Sequence, residues 1–202
     1  MCGLSDSCPL PCFIISGKFS LRFSLRSIRG THLGEPWGIA VSFDGKVLVS
    51  DWDKSCIHIF DENGKYMGNF GSAAVTTALK YPAGIAIDKR GRVVVADRGN
   101  HCIWTYTPDG QPLGRFGKQG HAPGELFFPF GIAIDKEGNI LVSESGNHRI
   151  SIFTASGKFL RCFGRKGSEP GMFQYPRHLC IDQQGRLVVA DELNQRLQVF
   201  SV

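Results

Sequence analysis

The chain has 202 residues, 42% of them hydrophobic and 20% charged, and a formal net charge of +5. It is long enough to bury a core as one domain, and its mild positive balance favours anionic partners without singling out nucleic acid. Seven cysteines, odd in number and irregularly spaced, argue against a disulfide framework and for a reducing compartment. No apolar run approaches the roughly 18 residues of a membrane span.

Residues 1–12 match nothing later in the chain and carry two prolines. They lack the basic start and long apolar core of a secretory signal, so they read as a disordered lead and the protein as cytoplasmic. Phe13 to Phe23 aligns in register with Phe153 to Phe163. The chain therefore starts inside a repeat, and this segment is expected to donate a first strand to the last repeat.

Four copies of one sentence follow, opening at Pro36, Pro82, Pro129 and Pro176 in steps of 46, 47 and 47. In the second copy Gly84 to Asp88 predicts a short strand, which Lys89-Arg90-Gly91 turns back. Val93 to Asp97 is a β-branched run suited to a strand covered on both faces. Arg98 to His101 is a loop, Ile103 to Tyr106 a third strand, Pro108-Asp109-Gly110 a turn, and Leu113 to Phe116 a fourth strand. A four-stranded unit repeated at this period predicts an all-β propeller of antiparallel blades over residues 13–202. Its ends either pair to complete the last blade or leave an open, partial propeller.

The pattern Pro-x-Gly-Ile-Ala-Ile-Asp-x-x-Gly-x-x-Val-Val-Ala-Asp-x-x-Asn-His-x-Ile resembles the NHL repeat, and among its bearers the C-terminal propeller of the tripartite-motif (TRIM-NHL) proteins. That resemblance implies a ring closed by its first strand, and includes propellers that bind RNA on one face. Family members often carry RING and B-box zinc domains and have six repeats. This chain has four and no cysteine/histidine array of RING spacing, so ligase chemistry does not carry over. It reads as a short isoform or fragment.

Loops on a rigid scaffold are where such folds keep function. The passages between copies, 24–35, 71–81, 117–128 and 164–175, hold Arg26, Arg29, Lys80, Lys118, Arg165 and Lys166 against Glu35, Glu125 and Glu169. Near them lie Trp37, Trp52, Arg98, His101, Phe130, His148, Tyr175, Arg177 and His178. Cations interleaved with rings suit single-stranded or hairpin RNA: the cations hold phosphates while rings stack on unpaired bases. Arg98, Lys118, Arg165, Lys166 and Arg177 are expected to take phosphates, and Trp37, Trp52 and Phe130 to stack or wall a pocket; His101 and His148 join them as candidates. Trp37, Ala83, Phe130 and Arg177 share one repeat position and differ, as a composite binding surface should.

Other chemistries fit less well. His101 and His148 share a slot that holds Ser55 and Gln195 elsewhere, too few ligands for zinc. The acidic row Asp51, Asp97, Glu144 and Asp191 recurs in every copy, which points to bonding of neighbouring loop backbone and away from calcium. No phosphate loop or dinucleotide fingerprint is present, and no catalytic constellation can be assigned from spacing. The sequence thus predicts a non-enzymatic RNA-binding module in post-transcriptional regulation, without metal, cofactor, DNA or membrane. The alternative is a protein-interaction propeller acting as the substrate-recognition end of a TRIM-type ubiquitin ligase.

Overall fold

The computed structural model describes residues 33–72 and 78–201. The lead, the strand expected over 13–23, Arg26 and Arg29 lie outside the described residues. The first blade comprises β1 (Pro36–Val41), β2 (Val47–Asp51), β3 (Cys56–Phe60) and β4 (Tyr66–Phe70). The second holds β5 (Pro82–Ile87), β6 (Val93–Asp97), β7 (Cys102–Tyr106) and β8 (Pro112–Phe116). The third holds β9 (Pro129–Ile134), β10 (Ile140–Glu144), β11 (Arg149–Phe153) and β12 (Phe159–Phe163). The fourth has β13 (Pro176–Ile181), β14 (Arg186–Asp191) and β15 (Arg196–Ser201) among the described residues. Strands pair antiparallel with their sequence neighbours. The fold is the all-β propeller of four repeated blades that the period predicted.

Local chemistry makes the hairpins. In the second blade the Asp88 carboxylate accepts the N–H groups of Arg90 and Arg92, both at 2.9 Å. Gly91, at φ +79, closes the turn by donating to the Asp88 carbonyl at 2.9 Å. An aspartate whose carboxylate accepts the N–H groups two and four residues on, and a glycine at positive φ, are what such a tight reversal requires.

The second strands of the first three blades are buried along their whole length because the core lies between blades, whereas β14 is buried only on alternate residues. Leu48 and Ile57 of the first blade pack on Ile85, Val93, Val95 and Tyr106 of the second. Val94, Ala96 and Ile103 of the second meet Ile132, Ile140, Val142 and Phe153 of the third. Leu141, Ile150 and Ile152 of the third meet Leu187 and Val189 of the fourth. One apolar residue per passage, Leu79, Leu126 or Phe173, plugs the same seam. Fully burying each such side chain contributes about 1.5–3 kcal/mol. Cys56 and Cys102 belong to this interior as free thiols, and burial pushes both up to about 12.

The innermost strands touch backbone to backbone. A Cβ on Gly38, Gly84 or Gly131 would lie 2.4 Å from the carbonyl of Ala83, Phe130 or Arg177 in the next blade. Ser50 bridges the first of these contacts, accepting from Gly38 N–H at 2.8 Å and donating to the Ala83 carbonyl at 2.5 Å. Ser143 does the same between Gly131 and the Arg177 carbonyl. The fourth blade carries an exposed His178 where the others carry glycine.

The outer flanks of the series remain open among the described residues. Leu197 is 70% exposed, whereas Ile57, Ile103 and Ile150 at its repeat position are fully buried. Ile39 on the first blade is 65% exposed, against 7% for Ile85 and for Ile132.

Candidate functional site

At one end of the propeller the loops after the second strands meet the passages between blades. Non-glycine residues here adopt the left-handed region at seven places: Ser55, His101, His148 and Gln195 in the loops, and Tyr81, Phe128 and Tyr175 just before the prolines. Such a conformation costs roughly 1–2 kcal/mol per residue, so something must hold it. The N–H of Phe128 donates to His101 Nδ1 and that of Tyr175 to His148 Nδ1, both at 3.1 Å. Tyr81 N–H reaches Ser55 Oγ at 3.4 Å. The first three loops thus each fasten the backbone that enters the following blade.

The acidic row is turned inward. Asp51 accepts the backbone N–H groups of Gly34, Glu35 and Lys54. Asp97 accepts Lys80 N–H at 2.9 Å and Asn100 Nδ2 at 2.8 Å. Glu144 takes Phe127 N–H, Asn147 Nδ2, Arg149 Nε and the Ser151 hydroxyl. Asp191 takes Gln174 N–H, Asn194 Nδ2 and Arg196 Nε. The same asparagines reach on to passage carbonyls at Ala78, Gly120 and Gly167. This is the backbone-holding role expected for that row, and it leaves the carboxylates little capacity to neutralise cations on the outer face.

Around the axis of this end lies a continuous set of rings. Trp37 meets Trp52 at 5.4 Å and the edge of Phe130 at 5.2 Å, and Trp52 stacks on Tyr81 at 5.2 Å and 26°. The Arg98 guanidinium sits 4.9 Å from the Trp52 ring centre and 4.5 Å from that of Phe128. Its Nε is buried without a hydrogen-bond partner, and it makes no ion pair among the described residues. Burial and the charge of Arg177 pull Arg98 below its ordinary value. Arg177 lies over Trp37 and Phe130 and pairs with Glu192 at 2.5 Å.

The structure brings Trp37, Trp52, Arg98, Phe130 and Arg177 into this one cluster. Phe130 requires correction as a stacking residue: it is 2% exposed, capped by Arg177 and edged by Trp37 and His178, so it floors the cluster and offers no face to a base. His101 and His148 each commit one ring nitrogen to an inter-blade N–H, and His101 further stacks on Phe127 at 5.2 Å and 12°. Lys118, largely exposed, pairs with Glu125 at 3.2 Å. Arg165 and Lys166 are exposed in the last passage and make no described contact with the ring cluster. Sequence reasoning missed Tyr81 and Phe128; the signal was there, since three of the four prolines that open a repeat follow an aromatic residue.

His58, His101 and His148 all lie below the ordinary imidazole value, with burial the first cause in each. The folded chain therefore binds fewer protons than the unfolded one as pH drops below about 6.5. Stability from these groups is complete above that pH and is lost as pH falls through it toward the folded values. The thermal midpoint should drop between about pH 7.5 and about pH 5. In a variant carrying His101→Gln and His148→Gln, which places glutamine where the fourth copy already has Gln195, the drop should be shallower.

A family model for the NHL repeat matches residues 33–60, 79–106, 128–153 and 173–200. No curated protein sequence matches the chain. Among solved structures it is similar to a streptogramin B lyase, with 19% identity over 83% of this chain and 54% of that one and a TM-score of 0.62. It is also similar to a catalytically inactive virginiamycin B lyase from Staphylococcus aureus with quinupristin, at 20% identity, 83% and 56% coverage and a TM-score of 0.60. A protein of unknown function from Bacteroides thetaiotaomicron gives 12% identity, 85% and 50% coverage and a TM-score of 0.68. At these identities the likeness shows the fold alone. The chain spans about half the length of the solved structures it matches.

Proposed function

Since this chain belongs to the NHL-repeat family, we propose that its ring-bearing end is a recognition surface and that its ligand is single-stranded or hairpin RNA. The observation that carries this reading is Arg98: a guanidinium clamped between two rings, with no anion beside it among the described residues, on an end whose acidic row faces inward. An uncompensated, partly desolvated cation is costly to keep unless an anion comes to meet it. Arg98 and Arg177 would hold phosphates near the axis, and Lys118, Arg165 and Lys166 would extend the track outward. The TRIM-NHL resemblance supports the same ligand and a cytoplasmic role in post-transcriptional regulation of messenger RNA.

We read the module as binding and not catalytic. His101 and His148, the residues best placed to act as bases here, spend Nδ1 on backbone N–H groups, and the buried carboxylates are saturated with donors. A second reading, a protein-interaction surface serving a TRIM-type ligase, is favoured by the exposed rings of Trp37, Tyr81 and Tyr175.

Selection from a random RNA pool, followed across a salt series, tests the choice. RNA binding should weaken steeply with salt. Arg165→Gln together with Lys166→Gln should weaken all RNAs alike and lower the slope of log affinity against log salt by about 1.4, at roughly 0.7 per phosphate contact. A folded protein that enriches no RNA would move the assignment to a protein partner.

A further inference from the structure

We infer that Tyr81, with Lys80 beside it, is a nucleotide subsite: a fixed platform on which one unpaired base stacks while the lysine holds the adjoining phosphate. This rests on the RNA reading and adds to it a residue to which neither sequence pattern nor resemblance gave a role. Trp52 backs one face of the Tyr81 ring at 5.2 Å and 26°, and the residue is 42% exposed. A ring supported from behind and exposed to solvent is the surface that base stacking uses. Its position is rigid, because the left-handed backbone at φ 53 is secured by Ser55, and the preceding Lys80 N–H is held by Asp97.

The exposed Lys80 ammonium lies over the Tyr81 ring, 5.9 Å from its centre, a loose contact that an incoming base would displace toward its own phosphate, and it makes no ion pair among the described residues. The two other aromatics at this repeat position are differently engaged. Phe128 is covered by the Arg98 guanidinium and packs against His101 and Phe127. Tyr175 meets His148 edge to face, at 88°, and has no flat backing ring among the described residues. Tyr81 alone of the three therefore combines a stacked support with an exposed ring and a solvent-exposed lysine held over it only loosely.

The test compares a random-sequence single-stranded RNA with its base-free ribose-phosphate counterpart. Wild type should prefer the RNA. Tyr81→Ala should lose about 5- to 150-fold in RNA affinity, the range of one stacked base, and leave the base-free strand unaffected. Tyr81→Phe should retain binding. Tyr81→Leu, which keeps an apolar cover over Trp52 without a π face and so guards against poor folding of the alanine variant, should lose RNA affinity to the same extent. Lys80→Gln should weaken both strands. RNA bound as tightly by Tyr81→Ala and Tyr81→Leu as by wild type would overturn the subsite and leave the RNA reading standing. Wild type that binds no RNA would overturn both.

Discussion

Replacing Glu144 with glutamine is expected to lower stability by about 3–5 kcal/mol, the cost of stranding one partner of a buried ion pair. Glu144 is fully buried and pairs with Arg149 at 2.7 Å, whose side chain is 11% exposed. The same guanidinium donates to the carbonyls of His121, Ala122 and Glu125, so it ties the passage into the blade. Glutamine has nearly the same shape but removes the anion and points an NH₂ group into a site built of donors: Phe127 N–H, Asn147 Nδ2 and the Ser151 hydroxyl. The measurement is a urea titration followed by tryptophan fluorescence. Asp97→Asn is the comparison: its neighbour at the Arg149 position is Cys102, so no guanidinium is stranded and the midpoint should fall less. Equal midpoints for wild type and Glu144→Gln would show that the charge on this row is idle.

The second large effect is expected from one methyl group. In Gly84→Ala the new Cβ meets the Phe130 carbonyl at 2.4 Å, Ile132 N at 2.9 Å and Gly131 Cα at 3.0 Å. All three are backbone, so no side chain can swing away; β5 and β9 must separate and loosen the core beside them. Overpacking of this kind costs about 1–3 kcal/mol, and an obstacle made of backbone places this variant near the top of that range. Gly114→Ala, at which a Cβ meets nothing within 4 Å, should be neutral or slightly stabilising in the same titration.

Strand order, hairpin chemistry and the inward duty of the acidic row are legible in the sequence because the period supplies four trials of each position. Val93 to Asp97 reads as a doubly covered strand, and it is one. The site is less legible because it is made where copies differ. Variation at the residue after the repeat proline looks like freedom from packing, yet Ala83 and Phe130 there are both buried. Near the axis each copy faces different neighbours, so the same position is filled by whatever its neighbours leave room for. The clamp on Arg98 escapes sequence reading for the same reason, since Trp52 and Phe128 come from two other repeats. His101 and His148 look like ligand contacts until the left-handed backbone they fasten is seen.

His178 makes the four copies non-interchangeable. Any copy placed ahead of another must let a neighbouring carbonyl come to within van der Waals reach of its third residue, which glycine allows and histidine does not. Duplicating one of the first three repeats would hand the array a unit already shaped to be followed. Duplicating the fourth would insert a unit with a histidine side chain at the position where the first three bring the next carbonyl close. The order of the copies is therefore part of what this sequence encodes.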